Sequence, residues 1–428
     1  MSYLRRQLVT SALVANAIRP VPTVVASVPA MFGGWLVSEL APHFAAGTAV
    51  DTVLEVTRRR EDPRHALLGM ANLAALGFVL HQGNRSERLF DAALTETLGE
   101  DYRDTLDSEH ELDWRTPFKQ LAWPFRMPTD GLDVHKNIAF APEHGRRGLL
   151  DVYTPTEGAR NAPVLLQVHG GAWTIGTKDQ QGQPLMRHLA ARGWVCVALN
   201  YRLSPRNAFP AQVVDVKRAI AWIRDNIADY GGDPGFVAIT GGSAGGHLTA
   251  LAALTANDPA YQPGFEDADT SVQAAVPFYG VYDMAGATGL RSSRFLRDFF
   301  LAPLVFQRSY DDDRAAFEQA SPILRVHDEA PPFYVIHGSN DVLAEVAQAR
   351  MFVEALREAS PNPVAYTELT FTQHAFDVFP SLRSQHSVRG VERFLGWALA
   401  RHRGQATESD ESWDTDRPAE PSATTTPM

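Results

Sequence analysis

Residues 236–246 read FVAITGGSAGG. Phe236 to Thr240 has strand character, Gly241-Gly242-Ser243-Ala244-Gly245-Gly246 follows, and Ala244 to Asn257 reads as a helix. A serine at the tip of a tight strand-to-helix turn is held in a strained backbone conformation. Glycines two residues to either side let neighbouring main chain approach without a Cβ clash. Such a turn lifts the Ser243 hydroxyl clear of the chain, and the first turn of the helix offers free N–H groups to an anion.

Working outward, strand and helix signals alternate on both sides of this turn. Strands are expected at Val164–Val168, Trp194–Leu199, Ala274–Tyr279, Phe333–Ile336 and Val364–Phe371. Helices are expected near Pro184–Arg192, Phe209–Tyr230, Val342–Ala359 and Val388–Arg401. Long helical crossovers between strands build a mostly parallel sheet flanked by helices, so the fold class is α/β. Val134–Phe140 and Gly148–Tyr153 look like an antiparallel lead-in around the turn at Glu143-His144-Gly145.

Directly after Val164–Val168 stands His169-Gly170-Gly171-Ala172-Trp173. Small residues there let main-chain N–H groups converge on a developing negative charge. Loss of one such donor costs about 3–4 kcal/mol of barrier in acyl-transfer enzymes. A serine hydroxyl also needs a base, and the base an orienting acid. His374 follows the strand ending at Phe371, and Asp341 follows Phe333–Ile336. Both therefore lie at strand carboxyl ends, where open α/β sheets bind ligands. The order Ser243, Asp341, His374 suits this architecture. Glu345 and Asp377 are the competing acids. Glu345 belongs to the following helix, and Asp377 is too close in sequence to reach behind His374. Asp215 and Asp233 read as helix-surface and turn residues. His169, His247 and His337 lack an acid in the required order.

These motifs in register resemble the hormone-sensitive-lipase-like bacterial carboxylesterases of the α/β-hydrolase superfamily, over about residues 130–400. Asn200-Tyr201-Arg202-Leu203-Ser204-Pro205, Phe209-Pro210-Ala211 and Ala375-Phe376 are similar to further stretches of that family. The resemblance implies a serine esterase acting on short- to medium-chain carboxylic esters through an acyl-enzyme, with no cofactor. Ser243 would be nucleophile, His374 base then acid, and Asp341 the orienting carboxylate. The N–H groups of Gly171, Ala172 and Ala244 would form the oxyanion hole, with Gly170 shaping the loop. Four positions depart from the family: Ala172 for the third glycine, Gly242 for the acid before the serine, Arg206 for a glutamate, and Ala375 for glycine after the base. The resemblance also implies a helical cap built from the N-terminal helices and an insertion at about 284–326. Phe295, Phe299, Phe300, Leu301 and Phe306, with Trp173, are candidate acyl-pocket walls. An amidase or peptidase of the same fold, and a non-catalytic binding protein that retains the pocket, stay open as alternatives.

Residues 1–110 read as a helical N-terminal extension, 111–403 as the catalytic domain, and 404–428 as a disordered acidic tail. That tail holds Glu408, Asp410, Glu411, Asp414, Asp416 and Glu420 against Arg417. The chain carries 39 Lys and Arg against 50 Asp and Glu, a formal charge of −11, which argues against nucleic acid as a partner. No metal-binding or nucleotide-binding motif is present, and the single cysteine, Cys196, reads as a buried small hydrophobe. The run Leu8–Ile18 after Arg5-Arg6 is broken by Thr10, Ser11 and Asn16, which disfavours a secretory signal. Val21–Val37 is interrupted by Pro22, Pro29 and Gly33-Gly34, and Ala66–Leu80 is short of the ~20 residues of a spanning helix. Both are expected as buried helices of an N-terminal layer, peripheral membrane contact being the alternative. The expected location is cytoplasmic, with or without membrane association, and the expected partner a small-molecule ester.

Overall fold

A computed structural model of the chain describes residues 1–21, 27–58, 64–106, 118–127 and 130–415. The sheet has eight strands: β1 Leu132–Ala139, β2 Leu149–Pro155, β3 Ala162–Val168, β4 Val195–Leu199, β5 Gly232–Gly242, β6 Ala274–Phe278, β7 Phe333–Gly338 and β8 Val364–Leu369. Their order is β1-β2-β4-β3-β5-β6-β7-β8. β1 and β2 pair antiparallel and β2 joins β4 antiparallel, while every pair from β4 to β8 is parallel. The sheet is thus an α/β-hydrolase sheet with the expected lead-in hairpin.

The helices are α1 Tyr3–Ile18, α2 Ser27–Glu39, α3 Ala41–Arg58, α4 His65–Leu98, α5 Phe118–Ala122, α6 Gln183–Ala190, α7 Ala211–Asn226, α8 Ala244–Ala253, α9 Arg291–Leu296, α10 Arg314–Gln319, α11 Val346–Ala359 and α12 Leu382–Thr415. Because side chains alternate across a strand, each interior strand feeds two cores. Leu166 and Val168 of β3, Val197 of β4 and Ile239 of β5 face Ile220 of α7 and Leu248 of α8. Leu165, Cys196 and Ala238 face Leu189 of α6 and Val391 of α12. Cys196 is fully buried, as its apolar strand suggests.

Three features bear on those expectations. First, the N-terminal helices join the main core: Phe90 and Leu94 of α4 enter the same core as α6 and α12, and α4 packs on α12 and β8. The expected boundary at 110–111 lies outside the described residues. Second, the helices of 1–98 are buried on one face only. Val28, Phe32 and Leu36 of α2, Val50, Val53 and Leu54 of α3, and Leu67 and Met70 of α4 are exposed, while Leu76 and Val79 are sealed. A helix apolar all round gives periodicity no means of choosing its inner face. Residues 22–26 of the Val21–Val37 run lie outside the described residues. Third, the chain beyond Gly404 continues α12 to Thr415. Gln405, Ala406, Glu408 and Glu411 favour helix and no proline intervenes before Pro418. Residues 416–428 lie outside the described residues.

Candidate active site

Ser243 stands between β5 and α8 with φ 59° and ψ −120°. A serine before a helix ordinarily takes extended angles and caps the first turn with its hydroxyl. Here the left-handed angle turns the side chain away and it makes no capping bond. The hydroxyl is therefore released from a structural duty. The turn is pinned by the Ser243 N–H donating to Phe278 O at 3.0 Å and the His247 N–H donating to Ser243 O at 3.0 Å.

The loop after β3 carries three consecutive positive φ angles: 115° at Gly171, 50° at Ala172 and 59° at Trp173. Successive left-handed residues turn main-chain N–H groups toward one side, as in an anion-binding concavity. The N–H of Gly170 is occupied, donating to Gln181 Oε1 at 2.7 Å. The N–H groups of Gly171, Ala172 and Ala244 meet no acceptor among the described residues. Gly170 lies against the elbow: a Cβ there would fall 2.6 Å from Gly242 O and 3.2 Å from Ser243 Cβ. Tyr201 supports the loop from behind. Its ring stacks on His169 at 4.2 Å and its hydroxyl donates to His169 O at 2.9 Å. The adjoining Arg202 forks onto Asp215, which is fully buried and not the helix-surface residue the sequence suggested.

On the far side of β6, Asp341 follows β7 and His374 follows β8. Their side chains meet at 2.6 Å, Nδ1 to Oδ2, with both residues buried. The other carboxylate oxygen accepts the N–H groups of Leu343 at 2.9 Å and Ala344 at 2.8 Å. His337 Nε2 donates to Ala344 O at 2.8 Å and also lies 3.3 Å from Asp341 Oδ2. Burial alone would push the Asp341 pKa up. The charge of His374 and the bonds from His337 and His374 outweigh it, holding the carboxyl well below the usual carboxylate range. The competing acids point elsewhere: Glu345 accepts from Ser292 and Asp377 from Tyr279. Ser243, Asp341 and His374 thus share the carboxyl edge of neighbouring parallel strands, where such sheets do chemistry. The group can support attack by an activated hydroxyl on a carbonyl whose oxygen gathers charge.

The proposed pocket walls differ widely in exposure. Trp173 is 2% exposed: its indole turns into α8 and donates Nε1–H to His247 Nδ1 at 3.1 Å. Leu301 is 0% exposed and belongs to the core under α7 and α8, as does Phe306. Phe299 is 69% exposed and stacks on Phe295 at 4.6 Å, so it faces solvent. Phe300 is half-buried against the core. Residues near an active loop in sequence are a weak guide to a pocket, because one positive φ redirects a side chain. Sequence reading also missed Gln181, Trp35 and Tyr279. Trp35 donates its indole N–H to Ala375 O, and Tyr279 packs on His374, yet both are remote in sequence and follow no local pattern.

Residues 150–356 match the BD-FAE family model. The chain is 43% identical over 402 residues to the probable carboxylic ester hydrolase LipM of Mycobacterium tuberculosis, covering 92% of each chain. It is 46% identical over 326 residues to esterase LipQ of the same organism, covering 75% of this chain and 76% of that one. Among solved structures it resembles an inhibited esterase B from Lactobacillus rhamnosis, with a TM-score of 0.55, 18% identity, and coverage of 66% and 92%. At that identity the likeness speaks to the fold.

Proposed function

The chain belongs to the hormone-sensitive-lipase-like carboxylic ester hydrolases of the α/β-hydrolase superfamily, and from that premise we propose that Ser243, His374 and Asp341 carry the reaction on short- to medium-chain acyl esters. Ser243 Oγ attacks the ester carbonyl while His374 takes its proton. Asp341, bonded to Nδ1, fixes the imidazole tautomer and stabilises the imidazolium that forms. The carbonyl oxygen becomes an oxyanion received by the N–H groups of Gly171, Ala172 and Ala244. His374 then gives its proton to the departing alkoxide, leaving an acyl-enzyme. Water, deprotonated by the same imidazole, releases the acid and restores Ser243.

The observation that carries this reading is the 2.6 Å contact between His374 and Asp341 at the strand edge that presents the uncapped Ser243. Ser243→Ala is expected to abolish turnover of p-nitrophenyl butyrate and labelling by a fluorophosphonate, with the fold intact by circular dichroism. Turnover at the wild-type rate in that variant overturns the assignment. A chain-length series of p-nitrophenyl esters reads the acyl limit.

The N-terminal helices suggest where the ester comes from. Val28, Phe32 and Leu36 form one exposed apolar edge of α2, and Val50 and Val53 are exposed on α3. Large exposed apolar surfaces mark sites of association. The reading is a cytoplasmic enzyme that rests peripherally on lipid through these helices. Co-flotation with phospholipid vesicles that Phe32→Ser and Val53→Ser abolish supports it, and absence of wild-type flotation rejects it.

A further inference from the structure

Tyr279 follows β6 and takes φ 35°, a left-handed angle that a bulky aromatic residue seldom adopts. Such strain persists where the surroundings over-determine it. The surroundings here are the candidate catalytic groups. The Tyr279 ring lies 4.6 Å from the His374 ring, centroid to centroid, tilted by 57°. Its edge also fills the space over Gly242, where an added Cβ would sit 2.5 Å from the phenol oxygen. Its hydroxyl donates to Asp377 Oδ1, and Phe376 packs edge-on to the ring at 5.4 Å. One side chain therefore touches the residue before the proposed nucleophile, the ring of the proposed base, and a carboxylate three residues beyond that base.

We propose that Tyr279 and Asp377 form a positioning pair for His374: the phenol ring shelves one face of the imidazole, and the tethered Asp377 supplies a second carboxylate for the imidazolium. The inference rests on the catalytic reading given above. Neither residue touches the ester. The space over Gly242 is taken by Tyr279, and Asp377 is held through the phenol. Tyr279 stays protonated, and hence a donor, because burial and the Asp377 charge both raise its pKa. The charged and titratable groups around His374 are Asp341, which bonds Nδ1, with His337 behind it. Tyr279 packs on the His374 ring and holds Asp377, whose pKa burial raises against the opposing pull of the phenol and of His374; Glu39 of α2, paired with Arg383 of α12, is the next charge that Asp377 feels.

Two near-isosteric variants separate the two roles. Asp377→Asn keeps an acceptor for the phenol and removes the charge. The acid limb of its kcat/KM–pH profile is expected to move down by about one pH unit, because the imidazolium has lost an opposite charge. Tyr279→Phe keeps the ring and removes the tether, and a fall in kcat of roughly tenfold with KM unchanged is expected from the looser imidazole. Wild-type kcat and an unmoved profile in both variants overturn the proposal, as does a lowered melting temperature with unchanged kinetics. Ser243→Ala measured in parallel keeps the inferences apart. A dead Ser243→Ala beside unaltered pair variants rejects the pair alone, whereas an active Ser243→Ala rejects the underlying reading.

Discussion

Trp35 donates its indole N–H to the carbonyl oxygen of Ala375 across 2.8 Å, which ties helix α2 to the residue following the proposed base. The contact is one of several. The Trp35 ring meets Phe379 at 5.4 Å, and Asn340 Nδ2 donates to the carbonyls of Ala17 and Ile18 at the end of α1. The N-terminal helices thus brace both the loop that carries His374 and the one that carries Asp341. Trp35→Phe removes one hydrogen bond while keeping most of the aromatic packing. Its expected cost is about 1 kcal/mol of stability, and a several-fold fall in kcat with KM little changed, on the order that a displaced catalytic group produces. Urea unfolding and steady-state kinetics on one ester check both.

The Asp341 carboxylate accepts from His374, His337 and two main-chain N–H groups, so its replacement changes more than charge. Asp341→Asn leaves the shape but presents an amide where the imidazole needs an acceptor, which favours the wrong tautomer. A loss in kcat of roughly 10³–10⁴-fold is expected, with residual turnover from the oxyanion donors. A loss below tenfold means that another acid orients His374.

Gly242 has no room for a side chain. A Cβ would sit 2.5 Å from the Tyr279 oxygen and 2.7 Å from the nearest ring carbons. Gly242→Ala is expected to cost about 1–3 kcal/mol through overpacking. Because the obstacle is one side chain, a double-mutant cycle with Tyr279→Ala should show strong non-additivity, the pair being less destabilised than the sum of the singles. Additive effects in thermal unfolding would place the obstacle elsewhere.

What could be read from the chain depended on how local the signal was. Val164–Val168 and Phe236–Thr240 are apolar strands bounded by turns, and the structure has strands there, extended by a few residues at their ends. The Ser243 turn and the His169–Trp173 loop are legible for the same reason: backbone geometry demands small residues at fixed offsets. Asp341 and His374 could be chosen by position relative to strands, although 33 residues separate them. Tyr279 and Asp377 are 98 residues apart, and no offset encodes a phenol reaching a carboxylate across a sheet edge. Trp173 misled because proximity to the oxyanion loop suggested a wall, whereas its φ of 59° sends the ring inward to His247. The outward face of α2 was hidden by its own uniformity, since apolar residues on every side announce burial and interfacial exposure alike, while α3 buries Thr48, Thr52 and Glu55 and exposes Val50 and Val53, the reverse of what polarity suggests.

Ala172 takes φ 50°, an angle that an L side chain adopts at a cost of about 1–3 kcal/mol. Ala172→Gly relieves that strain and retains the N–H proposed for the oxyanion. Glycine also adds freedom to the unfolded chain, which offsets about 0.4–1 kcal/mol of the gain. The variant is therefore expected to be as stable as the wild type or slightly more so, with kcat within about twofold by the donor argument. A large loss of kcat would show that the alanine methyl shapes the site.

Buried histidines away from the catalytic pair, His247 and His169 among them, weaken the fold in acid. His247 accepts from Trp173 at Nδ1 and donates from Nε2 to Ala320 O at 2.8 Å, a pattern that only the neutral ring satisfies. Burial lowers its pKa to about 4, and that of His169 likewise to about 4. In the unfolded chain both titrate near 6.5. Below pH 6.5 the unfolded state takes up protons that the folded state refuses, so stability falls with pH until about 4 and then levels off. At pH 5 the loss is about 2 kcal/mol per histidine. Asp341 acts in a different window. Its folded pKa is depressed, so its contribution is present above the unfolded carboxylate value of about 3.9 and is lost only below it. Urea unfolding at pH 7 and pH 5 should therefore show a clear drop in midpoint with the m-value unchanged, and His247→Gln should reduce that drop. Equal midpoints at the two pH values would mean that these rings are protonated within the fold, against the hydrogen bonds that His247 makes.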